Sequence, residues 1–171
     1  MAKRCLLLFL LGIVLEHSAI FAEGNPVAKI GQSGEFLELE QNGQTIRDYL
    51  PLHRTAGVRY FSAGVGLEER SAVYPPFSLK IVMTAGGKPF LAGVGVTVQP
   101  AKGGTAIAIP REQVEGPWLF VDLAPGVYNV TAIHGGSTQV LKGVKVEAGK
   151  QKTVYLRWTE DPGLAGKLPA E

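Results

Sequence analysis

Three aromatic residues stand where extended strands would align them for a ligand. Trp118 and Phe120 alternate with Leu119, Val121 and Leu123. Side chains on a strand point alternately to its two faces. If the leucines and the valine face a core, the two rings face the other way. Tyr155 alternates in the same manner with Val154 and Leu156. Planar rings on an open face suit sugar stacking or a protein partner. Trp118, Phe120 and Tyr155 are therefore the candidate ligand- or partner-binding residues. A competing expectation is that residues 35–73 fold back over these rings. That segment carries its own apolar set, including Phe36, Leu39, Ile46, Tyr49, Leu50, Tyr60 and Phe61. Cover is favoured, because a bare apolar patch is a liability on a monomer.

Catalytic and metal chemistry has little to work with. His53 and His134 are the imidazoles left once an N-terminal leader is set aside. A zinc site needs at least three protein ligands, so a carboxylate such as Asp48 or Glu69 would have to join them. The two histidines have no ligand spacing, so no metal or cofactor is expected. Of the soft sulfur ligands a copper carrier would use, only Met83 remains after the leader. Ser137 follows Gly135-Gly136 with only His134 near as a base, and it reads as a turn residue. Neither G-x-S-x-G nor H-E-x-x-H occurs. A hydrolase using His53 or His134 is thus a minor alternative, and the chain is not expected to be an enzyme. An isopeptide crosslink would need Lys80 and Asn129 in the core, but alternation directs both to solvent. Lys142, Lys145, Lys150, Lys152 and Arg157 form a local basic excess. Lysines there are expected to guard strand edges against aggregation.

These residues sit in a chain of 171, with 17 Lys+Arg against 15 Asp+Glu and 46% hydrophobic positions. It is too apolar for a disordered chain and too neutral for a nucleic-acid binder. Lys3 and Arg4 precede an apolar run, Cys5 to Leu15, and then the small residues around Ser18 to Ala22. That layout predicts a secretory signal peptide over 1–22, cleaved after Ala22. Removing 22 residues from 171 leaves 149 and takes away the single cysteine, Cys5. The expected location is periplasmic or secreted, with no membrane span after cleavage. A mature chain without cysteine has no disulfide and no thiol chemistry.

The elements that would position the candidate residues read as strands. Residues 23–34 are polar and Gly-rich and are expected to be flexible. Phe36 to Leu39 and Thr45 to Leu50 flank Asn42-Gly43, a tight hairpin signal. Gly64 to Ser71 reads as a loop entering one or two helical turns. Tyr74-Pro75-Pro76 reads as a boundary, since prolines do not sit in central strands. Period-two alternation follows in seven segments, starting at Phe77 and ending at Trp158, with Gly-rich or Pro-Gly turns between them. Seven short strands at this spacing predict an all-β sandwich. The 22 Gly and 11 Pro thereby mark turns, not disorder. The predicted division is an extension over 23–76 packing on a sandwich over 77–158, and a flexible tail over 159–171.

The segment Leu123-Ala124-Pro125-Gly126-Val127-Tyr128-Asn129-Val130 resembles the hinge of carboxypeptidase regulatory-like domains, which are transthyretin-like and starch-binding-like sandwiches. Gly116-Pro117-Trp118-Leu119 and Leu156-Arg157-Trp158 are similar to a bacterial exported subgroup, with Val65 to Arg70 matching its upstream segment. The resemblance implies a seven-strand Ig-like or transthyretin-like (prealbumin-like) sandwich used as a non-catalytic binding or interaction module with an unknown protein or glycan partner. Its starch-binding-like side implies carbohydrate binding as the first alternative. Pro125, Gly126 and Tyr128 read as a structural corner. Tyr128 should point inward with Val130 and Ala132, its hydroxyl reaching a nearby backbone group.

Overall fold

The computed structural model describes residues 24–86 and 91–159, and the predicted leader, 1–22, and the tail from 160 lie outside the described residues. Twelve strands and one short helix, α1 (Gly66–Ser71), make up the described regular structure, apart from a 3-10 turn at Arg111–Gln113. The fold is all-β and built from several sheets. None of the described helices is long and apolar enough to cross a membrane.

The first sheet is an antiparallel meander of β1 (Val27–Ile30), β2 (Phe36–Gln41) and β3 (Gln44–Pro51). Asn42 and Gly43 turn β2 into β3, both at positive φ, 53° and 78°. That pair of angles is what a two-residue hairpin with right-handed twist requires. β1 falls in the stretch expected to be flexible. It is held instead from two sides, by pairing with β2 and by hydrogen bonds between Ala28 N–H and Val73 O and between Val73 N–H and Pro26 O. Its four residues are too few to show an alternation, and its partners lie ten and forty-odd residues away.

All seven strands expected after Pro76 are present. They are β6 (Leu79–Ala85), β7 (Gly95–Pro100), β8 (Ile107–Ile109), β9 (Trp118–Val121), β10 (Gly126–His134), β11 (Ser137–Val146) and β12 (Lys152–Trp158). Four form one sheet in the order β11-β10-β7-β8. The other three join β4 (His53–Thr55) and β5 (Val58–Ala63) in a five-stranded sheet, β12-β6-β9-β5-β4. The sandwich therefore has nine strands where the sequence predicts seven. Tyr74-Pro75-Pro76 does not separate an extension from the sandwich, because β5 pairs directly with β9, Tyr60 opposite Val121 and Ala63 opposite Trp118. The prolines break the chain between two strands of one sheet. Buried residues fill β5 on both faces, so its sequence has no alternation to reveal where it pairs.

The five-stranded sheet is thus the middle of three layers. Its inner face packs Leu79, Ile81, Leu119, Val121 and Leu156 against Val96, Val98, Val130 and Ala132 of the four-stranded sheet. Part of its outer face packs Phe61, Ala63 and Phe120 against Leu37, Leu39 and Leu50 of the meander, with Phe77 in the same cluster. The meander covers the β5–β9 side. The outer face at β6 and β12 carries the groove described next.

Candidate functional site

Alternation along β9 is as the sequence implies. Leu119 and Val121 are buried in the sandwich core, and Trp118 and Phe120 belong to the outer-face cluster. Their exposure then diverges. Phe120 is 2% exposed. Its ring stacks on Phe61, with centroids 4.6 Å apart and planes 4° from parallel, and meets Tyr74 at 4.9 Å. Phe120 is a packing residue covered by the segment 35–73 and is closed to a ligand. Trp118 lies at the margin of that cover and is half-buried. Gly64 closes against its indole. A Cβ at Gly64 would come within 3.1 Å of the ring, and the backbone there has φ 98°. Tyr155, on β12, stands 52% exposed.

Trp118 and Tyr155 border one groove of about 400 Å³. Its floor is the outer face of β6, which contributes Lys80, Val82 and Thr84. Thr153 and Arg157 line it from β12, with Gln151 just before that strand. The parallel register of β12 on β6 sets Lys80 beside Thr153, Val82 beside Tyr155 and Thr84 beside Arg157.

Lys80 differs from its expected solvated state. Its ammonium lies 3.5 Å from the Trp118 ring centre and 5.1 Å from that of Phe120. Cation–π attraction holds it there. Burial lowers its pKa below the ordinary lysine value, because desolvation disfavours the charged form. The lysine stem covers the rings that β9 leaves facing outward. Asn129 is in the opposite sheet, where its side-chain oxygen accepts the Gly143 N–H at 3.1 Å. The two side chains cannot form a crosslink. Thr84 is 4% exposed, and its hydroxyl has no hydrogen-bond partner. Arg157 lies with its guanidinium carbon 5.4 Å from the Tyr155 ring centre.

The remaining candidates have structural surroundings. Tyr128 donates its hydroxyl to the Ala124 carbonyl at 2.8 Å, across Pro125 and Gly126. A Cβ on Gly126 would sit 3.2 Å from the Tyr128 ring, so glycine lets the corner close. His53, on β4, stacks on Tyr60 with centroids 5.4 Å apart, and burial lowers its pKa while Glu115 opposes the shift. His134, at the end of β10, contacts the Gly93 carbonyl through Nδ1 at 3.2 Å and meets Trp158 edge-on. The two histidines are in different sheets. No group of three His, Cys, Asp or Glu able to hold a metal occurs among the described residues, and the side chain of Asp48 lies outside them.

Of the lysine cluster, Lys145 and Lys150 both bind Glu147, at 2.7 and 3.0 Å, and hold its pKa below the usual carboxylate value. Lys142 and Lys145 are on β11, the edge of the four-stranded sheet. Gly143, at φ 70°, bulges that strand between them. Charge and bulge together blunt the edge.

Glu69 is the residue the sequence reading did not single out as structural. It is 1% exposed, and its Oε2 accepts the N–H groups of Gly64 (2.7 Å) and Val65 (2.9 Å). This buried carboxylate fixes the loop that closes on Trp118. The available signal was a Glu in a first helical turn after two glycines, where backbone donors lack partners.

Compared with protein-family models, curated proteins and solved structures, the chain finds no match. The likeness to carboxypeptidase regulatory-like domains holds at the level of an all-β, multi-sheet fold.

Proposed function

We propose that this chain is an exported, non-catalytic binding module that takes a saccharide in the groove between Trp118 and Tyr155. One observation carries the reading. Two aromatic rings border a single open groove whose other groups include the hydroxyls and amide of Thr84, Thr153 and Gln151. Its volume of about 400 Å³ is within the usual range of small-ligand sites, ~300–1,000 Å³. The exposed Tyr155 ring offers the apolar face of a sugar a flat surface. The Trp118 indole adds an apolar border with Lys80 on its face, and the polar groups match the sugar hydroxyls. Phe120 is removed from the ligand set by its burial, which leaves Trp118 and Tyr155. Export is supported by the leader layout at Lys3-Arg4, Cys5 to Leu15 and Ala22. A sandwich of the carboxypeptidase regulatory-like type is supported by the corner at Pro125, Gly126 and Tyr128. A binding role is favoured over a hydrolase by the separate ring contacts of His53 and His134.

The test is titration of the protein with neutral and acidic oligosaccharides, read by isothermal calorimetry. Tyr155→Ala, at an exposed position, should weaken binding at least tenfold without changing the melting temperature, and Trp118→Ala should do more. Absence of binding to any saccharide, or affinities unchanged in both variants, would overturn the reading.

A further inference from the structure

We infer that the saccharide taken by this groove is acidic, its carboxylate or sulfate meeting Lys80 and Arg157. The inference rests on the saccharide reading above and adds the charge of the ligand. Three observations converge on it.

The described residues lining the groove include two cations and no carboxylate. The whole chain is close to neutral, 17 basic against 15 acidic residues, so this is a local asymmetry.

Lys80 is half-buried and no described carboxylate pairs with it. Other cations of the molecule show the contrast. Arg59, comparably exposed, binds Asp122 at 2.6 Å. Lys29 binds Glu40, and Lys145 and Lys150 share Glu147. Partial burial of an ammonium removes hydration that only a negative charge restores in full. The Trp118 face supplies part of that stabilisation, and an anion above the groove would supply the rest.

Thr84 adds a sign of a polar ligand, whatever its charge. It is nine-tenths buried, on the same face of β6 as Lys80, and its hydroxyl lacks a partner. A buried polar group without a hydrogen bond costs about 1–3 kcal/mol. The hydroxyl oxygen is closed to solvent, so a ligand oxygen would accept this donor only after the Thr84 side chain turns toward the groove.

Arg157 completes the set from the neighbouring strand. It is beside Thr84 in the parallel register, with its guanidinium against the Tyr155 ring. A planar guanidinium can bind both oxygens of a carboxylate. Lys80 and Arg157 thus line one groove from neighbouring strands, with the exposed Tyr155 ring as its aromatic surface.

The experiment compares an oligogalacturonate with the same oligomer after reduction of its carboxyl groups, together with a heparin hexasaccharide and a poly-glutamate peptide. Calorimetry on the full chain at low and at physiological salt gives the affinities. The acidic saccharides should bind at least tenfold more tightly than the reduced oligomer, and salt should narrow that gap. Lys80→Met keeps the stem over Trp118 and should narrow the gap between the acidic and the reduced oligomer at least threefold, with Lys80→Met/Arg157→Gln together closing it. Arg157→Gln, at an exposed position where folding is not at stake, should weaken only the acidic ligands. Equal binding of acidic and reduced oligomers would overturn the inference and leave the saccharide reading standing. Failure of every saccharide would overturn both. Poly-glutamate binding as tightly as the acidic saccharides would also overturn it, in favour of an acidic peptide.

Discussion

The Tyr128 hydroxyl donates a 2.8 Å hydrogen bond to the Ala124 carbonyl, four residues back. It ties the start of β10 to the turn that follows β9, the strand carrying Trp118. The ring is 8% exposed and packs with the sandwich core. Tyr128→Phe keeps the ring and strands the carbonyl, and should lower stability by about 1 kcal/mol. Urea unfolding measures this, and an unchanged midpoint would count against a structural corner.

Gly116 touches β5 where Trp118 enters its strand. A Cβ there would lie 2.3 Å from the Ala63 carbonyl oxygen, a backbone atom that cannot swing aside. Its N–H is also held by Ser62 Oγ at 2.8 Å. Gly116→Ala should destabilise by about 2 kcal/mol, as overpacking does. Gly95→Ala, whose nearest neighbour is 3.9 Å away, should be close to neutral. Thermal melts of the pair check the contrast.

The meander is a cover and β5 is not. Removing residues 24–52 should uncover Phe61 and Phe120 and raise binding of a hydrophobic dye several-fold, with the sandwich still assembled. Extending the deletion to residue 74 removes β5 and opens the edge of β9. That protein should aggregate. Dye fluorescence with size-exclusion chromatography distinguishes the two. A longer deletion that stays monomeric would contradict the assignment of β5 to the sheet.

His53 gives a pH dependence with a definite sign. Its pKa in the fold is lowered by burial, so the unfolded chain binds its proton at a higher pH than the folded one does. Stability then falls as pH drops below the ordinary imidazole value, about 6.5. Melting temperatures between about pH 5 and 7 should slope in the native protein and flatten in His53→Phe, where a ring still stacks on Tyr60. An identical slope in both would assign the dependence to other groups.

The sequence was legible wherever one face of a strand is buried and the other is not. β10 and β12 announce themselves in this way, and the Asn42-Gly43 turn follows from its two residues. Legibility failed where burial is two-sided or the holding contacts are remote. β5 is buried on both faces and shows no period. β1 is four residues long and is held by backbone bonds to Val73 and β2. At the candidate site, alternation put Trp118 and Phe120 on one face correctly. It could not tell that the meander ends between them, covering one ring and leaving the other at the groove. Nor could it place Lys80 against Trp118, because that contact depends on β6 pairing with β9, 36 residues or more along the chain.

The parallel pairing of β12 with β6 joins the first and last strands of the segment after Pro76. Thr153, Tyr155 and Arg157 follow their partners Lys80, Val82 and Thr84 by 73 residues along the chain. Parallel pairing over such a separation pays its loop-closure entropy before any contact rewards it. A chain interrupted before β12 therefore has half a groove, with its cations and rings unassembled. Under the proposed binding role, a ligand would be captured only where β12 has closed on β6, so binding would double as a report that this sheet has assembled.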